Sequence, residues 1–387
     1  MSDRVIVVGA GIIGTSTAYY LSRLGVDVTL IESNYIASGT SAACDQGILM
    51  QTKKPGPTLT LAMESASIYE TLEDELGADL EYRQGGSMII METEKERAMV
   101  NEHAKALRDS GLNISILSGK DIREKQPELG EHVLGATWWE RDAKVNSMKV
   151  CYEMANAAER LGTHIIEGRK VTGLVKEGEH IIGVEMSGET LYADAVVLTS
   201  GIWTAELMKT IGVDIPIIPR RGQILVTEKL PKILHSNILS GAYIAAKKKG
   251  AGEDSDNPAG IGLVMGQVAS GNILIGGSRE FVGFNTNTTD NVIRGISAEA
   301  ARVFPYLDHV RVIRAFAGLR PFTSDGFPLI GPVERLPGLF IAAGHEGDGI
   351  ALAPVTGKVM AELVCGKEPF MDLSPFSPDR FFDNYNR

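Results

Sequence analysis

Hydrophobic and polar positions fall into two periods along this chain. Nearly unbroken apolar runs at 4–8, 28–31, 193–198 and 339–343 predict short strands buried on both faces. Apolar positions spaced by three and four predict helices over 15–24, 58–76, 94–109, 120–126, 148–161, 290–304 and 350–365, with Gly25, Gly77, Gly162 and Gly366 as stops. Further strands are expected at 87–91, 164–166, 170–175, 221–227, 242–245, 263–267, 272–276 and 310–319. Residues 134–140 read as an edge strand, and 181–185 with 189–192 as a hairpin around Ser187 and Gly188. Lys247–Gly260, rich in charge and glycine, reads as a hairpin tip on the surface, 320–325 as a polar turn, and 370–387 as an irregular tail.

The first strand runs straight into Gly9-Ala10-Gly11-Ile12-Ile13-Gly14 and then a helix, and the second strand ends at Glu32. That order is the one used to bind a dinucleotide. One glycine makes the turn, the next admits a pyrophosphate to the backbone, and Gly14 lets helix and strand close up. The helix start faces the phosphates, and the acid accepts from a ribose. Beyond it, 35–49 is rich in small and hydroxyl residues and poor in charge. Either it is a surface loop or, as we favour, Ser38, Thr40, Ser41 and Ala42 lie against the ligand. The apolar strand at 193–198, followed by Thr199, Ser200 and Gly201, reads as a return to the nucleotide layer. The strand at 339–343, with its Gly-rich turn and apolar helix, repeats the physics of the opening and brings a second helix start to the same place.

Composition narrows this picture. A net charge of −11 leaves no basic field for a nucleic-acid partner. The 387 residues suffice for two domains. The three cysteines are far apart and form no CxxC pair, so neither a metal site nor a disulfide scaffold is expected. No apolar run reaches the roughly 20 residues that span a bilayer, and the start carries no secretory pattern. A cytoplasmic protein is expected.

Three separated stretches, Val5–Glu32, Ala317–Gly331 and Leu339–Lys358, together resemble the flavin-dependent D-amino-acid oxidase superfamily. Within it the likeness is nearest to glycine oxidase and to the catalytic subunits of opine and D-hydroxyproline dehydrogenases. The resemblance implies an α/β protein in which a Rossmann-like FAD-binding domain (1–85, 146–218 and 317–387) is interleaved with an α+β substrate domain on a mainly antiparallel sheet (86–145 and 219–316). It implies non-covalent FAD, since no cysteine stands where a related enzyme links its flavin. Gly9, Gly11, Ile12, Ile13 and Gly14 would meet the pyrophosphate, and Glu32 with Ser33 the ribose. Ser38, Thr40, Ser41 and Ala42 would lie near the pyrophosphate and flavin, Val171 at the adenine, and Ser200 and Gly201 over the nucleotide. Gly347, Asp348, Gly349 and Ile350 would face the pyrimidine side of the ring.

By the same likeness Arg320 would clamp a substrate carboxylate, for which a planar two-pronged guanidinium is suited. Tyr243 either assists that carboxylate or packs as a core aromatic. His345 is expected to act on the ring electrostatically rather than as a base. Glu346 and Asp348 crowd the flavin-side loop with acid, and no second substrate arginine is assigned. The expected reaction is oxidation of the C–N bond of a small amino or imino acid. Dioxygen is the favoured acceptor, with partner electron-transfer subunits the alternative, in a homo- or hetero-oligomer.

Overall fold

Val5, Ile6, Val7 and Val8 are all β-branched and all buried, which makes Arg4–Val8 a central strand. It pairs in parallel with Asp27–Ile31 on one side and Ala195–Leu198 on the other. The computed structural model describes residues 3–248 and 257–382. In it the six-stranded sheet runs Leu329–Pro332, Leu339–Ala343, Ala195–Leu198, Arg4–Val8, Asp27–Ile31, His164–Ile166. All its pairings are parallel except the outer one between Leu329–Pro332 and Leu339–Ala343. The helices Ile12–Arg23 and Gly349–Val364 cross closely on this sheet. A Cβ on Gly357 would come within 2.4 Å of Ser16 Oγ, which donates to Ala353 O at 2.9 Å. Pro354 lies inside the second of these helices and has no N–H to offer Ile350 O. The Tyr69 hydroxyl donates there instead, at 2.7 Å.

The second large sheet has eight strands, in the order Val312–Thr323, Ile217–Thr227, Ile273–Gly276, Val264–Gln267, Asn237–Ser240, Ser87–Met91, Gly135–Trp138, Ser115–Leu117. It is antiparallel apart from the pairing of Asn237–Ser240 with Ser87–Met91. Helix Asp290–Val303 covers one face, its Val292, Ile296, Ala300 and Val303 packing with Leu225 and Ile275. This is the α/β architecture expected, one mostly parallel layer and one mostly antiparallel. The two longest strands, Ile217–Thr227 and Val312–Thr323, run through positions 218 and 316, where the sequence suggested domain boundaries.

Several local expectations fail for identifiable reasons. Residues 242–245 are not a strand but part of the helix Gly241–Lys248. Four residues of apolar sequence do not fix a period, and Ser240 Oγ accepts the Tyr243 N–H at 3.2 Å, so Ser240 acts as a helix start. Residues 320–323 continue their strand, and the turn comes only after Thr323. The segment around Trp138 is not at the edge, because Ser115–Leu117, overlooked for its brevity, pairs outside it. The first helix begins at Ile12, inside the glycine turn. Lys247 is in a helix and points inward rather than sitting on a surface tip, while 249–256 of that segment lie outside the described residues. The tail contains the short turns Ser374–Phe376 and Pro378–Phe381, with Phe376 and Phe382 buried.

Candidate active site

The glycine turn sits at the carboxyl ends of the parallel strands. Gly9 holds φ +104°, and a Cβ there would press on Ser200 Cα and Thr199 O at 3.0 Å. On Gly14 a Cβ would lie 1.8 Å from Gly9 O, so strand and helix can close only over a bare backbone. Gly11 caps the helix Ile12–Arg23 without any side-chain bond. The Ile12 N–H donates to Ser41 Oγ at 2.9 Å, which lays the 35–49 loop against the turn. Glu32 is buried. Its Oε1 accepts from Ser33 Oγ (3.0 Å), Asn34 N (2.9 Å) and Ser38 Oγ (3.3 Å), and its Oε2 from Ala10 N (2.9 Å). Val171 opens a strand two residues after Arg169, whose N–H donates to Glu32 O. Thr40 Oγ1 donates to Leu319 O at 2.6 Å and so ties the loop carrying Ala42 to the strand carrying Arg320.

A second cluster is assembled from distant segments. Arg220 and Arg320 stand directly opposite each other on the antiparallel strands Ile217–Thr227 and Val312–Thr323. Like charges in that relation repel and require an anion nearby. Arg220 is 2% exposed, forms an ion pair with Glu346 and lies over the Phe322 ring at 4.6 Å. The half-buried Arg320 donates from Nη1 to Ser278 O at 2.9 Å. Its guanidinium lies over Gly222, where a Cβ would come within 2.2 Å of Nη1. Arg279 is buried and stacks on the Tyr243 ring with Cζ 4.4 Å from the centroid. Burial pushes the Tyr243 hydroxyl up, with Arg279 pulling the other way.

The turn after Leu339–Ala343 supplies the counter-charges. Glu346, at φ +51°, is a non-glycine residue in the left-handed region, held there by its N–H donating to Pro321 O at 3.0 Å. Burial alone would raise its carboxyl, but Arg220 and Arg320 outweigh that and hold it well below the usual range. Asp348 receives Lys53 Nζ at 2.8 Å and Lys247 Nζ at 2.9 Å on each of its oxygens. Those two ammonium groups overcome burial and keep it ionised. Lys53 is 2% exposed and Lys247 also donates to Thr52 O at 2.9 Å. His345 Nε2 is 3.2 Å from Thr356 Oγ1. Burial lowers its imidazole to about 4, against the pull of Asp348. It is therefore neutral at ordinary pH.

The FAD dependent oxidoreductase family matches residues 4–363. The chain belongs to that family. Members similar to it include the glycine oxidase of Pseudomonas aeruginosa, 28% identical over 98% of this chain and 99% of its own. The hydrogen cyanide synthase subunit HcnC of the same species is 26% identical over 97% and 96%. Among solved structures, glycine oxidase from Geobacillus kaustophilus superposes with a TM-score of 0.88 at 26% identity, covering 98% of both chains. L-proline dehydrogenase from P. horikoshii gives 0.88 at 24% identity over 100% and 99%, a likeness of fold. As a member of this family the protein is an FAD-dependent oxidoreductase.

The residues fit FAD on structural grounds. The helix start has no cap from Gly11 and meets the small hydroxyl of Ser41 at Ile12 N, the turn is cut back to glycine where a phosphate would approach, and Glu32 Oε2 has taken one donor and has room for another. The structure thus brings Ser41 and Ser200 to the glycine turn and Arg320 beside Gly347, just before the second helix start. What the sequence reading missed is basic: Arg220, Arg279, Lys53 and Lys247. Arg220 stands two residues before Gly222 in a strand, so a period of two puts it on the face that Arg320 uses. Lys53, in the run Lys53-Lys54-Pro55-Gly56-Pro57, carries no such sign. Among the described residues no group of three or more His, Cys, Asp or Glu is placed to hold a metal, and no helix is long and apolar enough to cross a membrane.

Proposed function

We propose that this family member oxidises a small amino or imino acid at the carbon between its nitrogen and its carboxylate, with dioxygen as the final acceptor. The observation that carries the reading is Arg320, held over Gly222 by Ser278 O beside the start of helix Gly349–Val364. Bound FAD supplies the acceptor for the hydride that leaves the α carbon. It would be held by Gly9, Gly11, Ile12, Ile13 and Gly14 at the pyrophosphate and by Glu32 and Ser33 at the ribose. Val171, Ser200 and Gly201 would close over the nucleotide, and Ser38, Thr40, Ser41 and Ala42 would flank it non-covalently.

Arg320 binds the substrate carboxylate and Tyr243 lines the same pocket beneath Arg279. With its imidazole lowered to about 4 by burial, His345 is too weak a base to hold a proton taken from the amine, so the substrate enters as the free amine. Loss of hydride and the N–H proton leaves an imine, which water converts to an oxo acid and ammonia or an amine. Gly347, Asp348, Gly349 and Ile350 would place a positive helix end where negative charge accumulates, and Lys53 and Lys247 add to it. Unpaired acids at 346 and 348 would oppose electron transfer to oxygen. With Arg220 on one and two lysines on the other, the charge around them is positive, which favours superoxide formation. The similarity to a synthase subunit keeps a second reading, transfer of electrons to partner subunits.

Anaerobic reduction with glycine, sarcosine and D-proline, followed by admission of air, tests both. Rapid reoxidation with stoichiometric peroxide is expected. A flavin that stays reduced until an artificial acceptor is added would instead support the subunit reading, and no bleaching with any of these amines would overturn the amino-acid assignment.

A further inference from the structure

The arginines outnumber the acids available to them. Arg220 has Glu346, and Asp348 is taken by Lys53 and Lys247. Among the described residues Arg320 bonds only a backbone carbonyl, that of Ser278. Arg279 follows Ser278 directly and is 8% exposed. Its Nε has no hydrogen-bond partner, and among the described residues it forms no ion pair; it stacks on the face of Tyr243 and shares the more distant charge of Glu346 with Arg220 and Arg320. A buried guanidinium without an acceptor is costly, and a protein retains one where a ligand completes it. A carboxylate held two-pronged by Arg320 has both oxygens engaged there and leaves Arg279 without an acceptor of its own.

We propose that Arg279 and Arg320 form two carboxylate subsites, so that the substrate is an amine bearing two carboxylates: an amino dicarboxylic acid, or a secondary amine with a carboxylate on each arm. Arg320 holds the carboxylate next to the oxidised carbon and Arg279 the far one. Tyr243 is the platform that keeps the Arg279 plane in place by cation–π contact, which leaves the edge of the guanidinium free for a two-pronged bond. The neighbouring backbone is thinned to suit. A Cβ on Gly277 would lie 3.7 Å from Arg320 Nη2, and one on Gly262 would run into Tyr243 at 2.6 Å. This assignment rests on the amino-acid oxidation proposed above and narrows its substrate class.

The test uses FAD-loaded enzyme reduced anaerobically by matched pairs, N-(carboxymethyl)glycine against sarcosine and D-aspartate against D-alanine. In at least one pair the diacid is expected to exceed the monoacid in kcat/KM by about tenfold to a hundredfold, the scale of one desolvated charge pair. Arg279→Met should bring that ratio close to one, and Arg279→Lys should restore part of it. Calorimetric titration of the wild-type holoenzyme with malonate and with acetate gives a readout free of turnover and of variants, and malonate should bind at least about tenfold more tightly. Monoacids that reduce the flavin as well as or better than diacids, or a ratio untouched by Arg279→Met, would overturn the two-subsite assignment and leave the oxidation itself standing. Failure of every amine to reduce the flavin would remove both.

Discussion

The nucleotide turn and the arginine cluster are built on opposite principles. The turn is local: Gly9 to Gly14, the helix that follows and Glu32 lie within one βαβ unit, and its geometry is enforced by backbone contacts as short as the 1.8 Å a Cβ on Gly14 would make. The arginine cluster is gathered from residues 220, 279, 320 and 346, which meet only once the eight-stranded sheet has paired and the turn after Leu339–Ala343 has folded onto it. Steric exclusion holds the first, and charge balance holds the second. A site held by exclusion tolerates no added atoms. One held by charge tolerates change in pairs.

That contrast can be broken most severely at Gly14. Gly14→Val is expected to cost about 3 kcal/mol or more and to yield protein without bound FAD, read as loss of the flavin spectrum after gel filtration. Arg320→Ala should lower kcat/KM by about 2 to 5 kcal/mol with FAD still bound, and Lys should rescue only part. Steady-state kinetics at matched flavin content checks this, and an unchanged kcat/KM would remove the clamp. Glu346→Gln strands Arg220 at 2% exposure and should cost about 3 kcal/mol in denaturant unfolding. The double variant with Arg220→Met should recover most of that loss, since it removes the charge along with its partner.

Gly222→Ala forces Arg320 off Ser278 O and should cost about 1 to 2 kcal/mol in kcat/KM in the native background, yet almost nothing further once Arg320 is Ala. The most gradual effect concerns pH. His345 is neutral when folded down to about pH 4 but gains a proton in the unfolded chain near 6.5. Between these values the unfolded state binds more protons, so this contribution is present above pH 6.5 and is lost as pH falls towards 4. His345→Asn should flatten stability against pH by about 1 kcal/mol per unit in that window, measured by urea midpoints.

The same contrast explains what could be read from the chain. The turn, its strands and the acid at 32 were legible because each residue's reason lies within thirty positions of it. Arg320 was legible only through its resemblance, and its strand was cut short because Pro321 looked like the start of a turn. Pro321 in fact faces Pro219 across the sheet. Lys247 was misplaced because its charge matched a surface composition, and its partner Asp348 is a hundred residues away. Arg279 stands next to Glu280 in the sequence. Glu280 instead pairs with Arg221, at 2.8 Å. Sequence patterns report who is adjacent along a face, and they are silent on which of several cations a given carboxylate chooses.

The register that sets Arg220 opposite Arg320 has one more consequence. Glu346 offsets Arg220, and a diacid that reaches both Arg320 and Arg279 offsets the rest of the charge gathered there. The sheet should therefore melt later when its proper acid is present, by an amount that grows with the logarithm of concentration. Heat alone, without turnover or an acceptor, becomes a way to ask a library of acids which one this protein was built to hold.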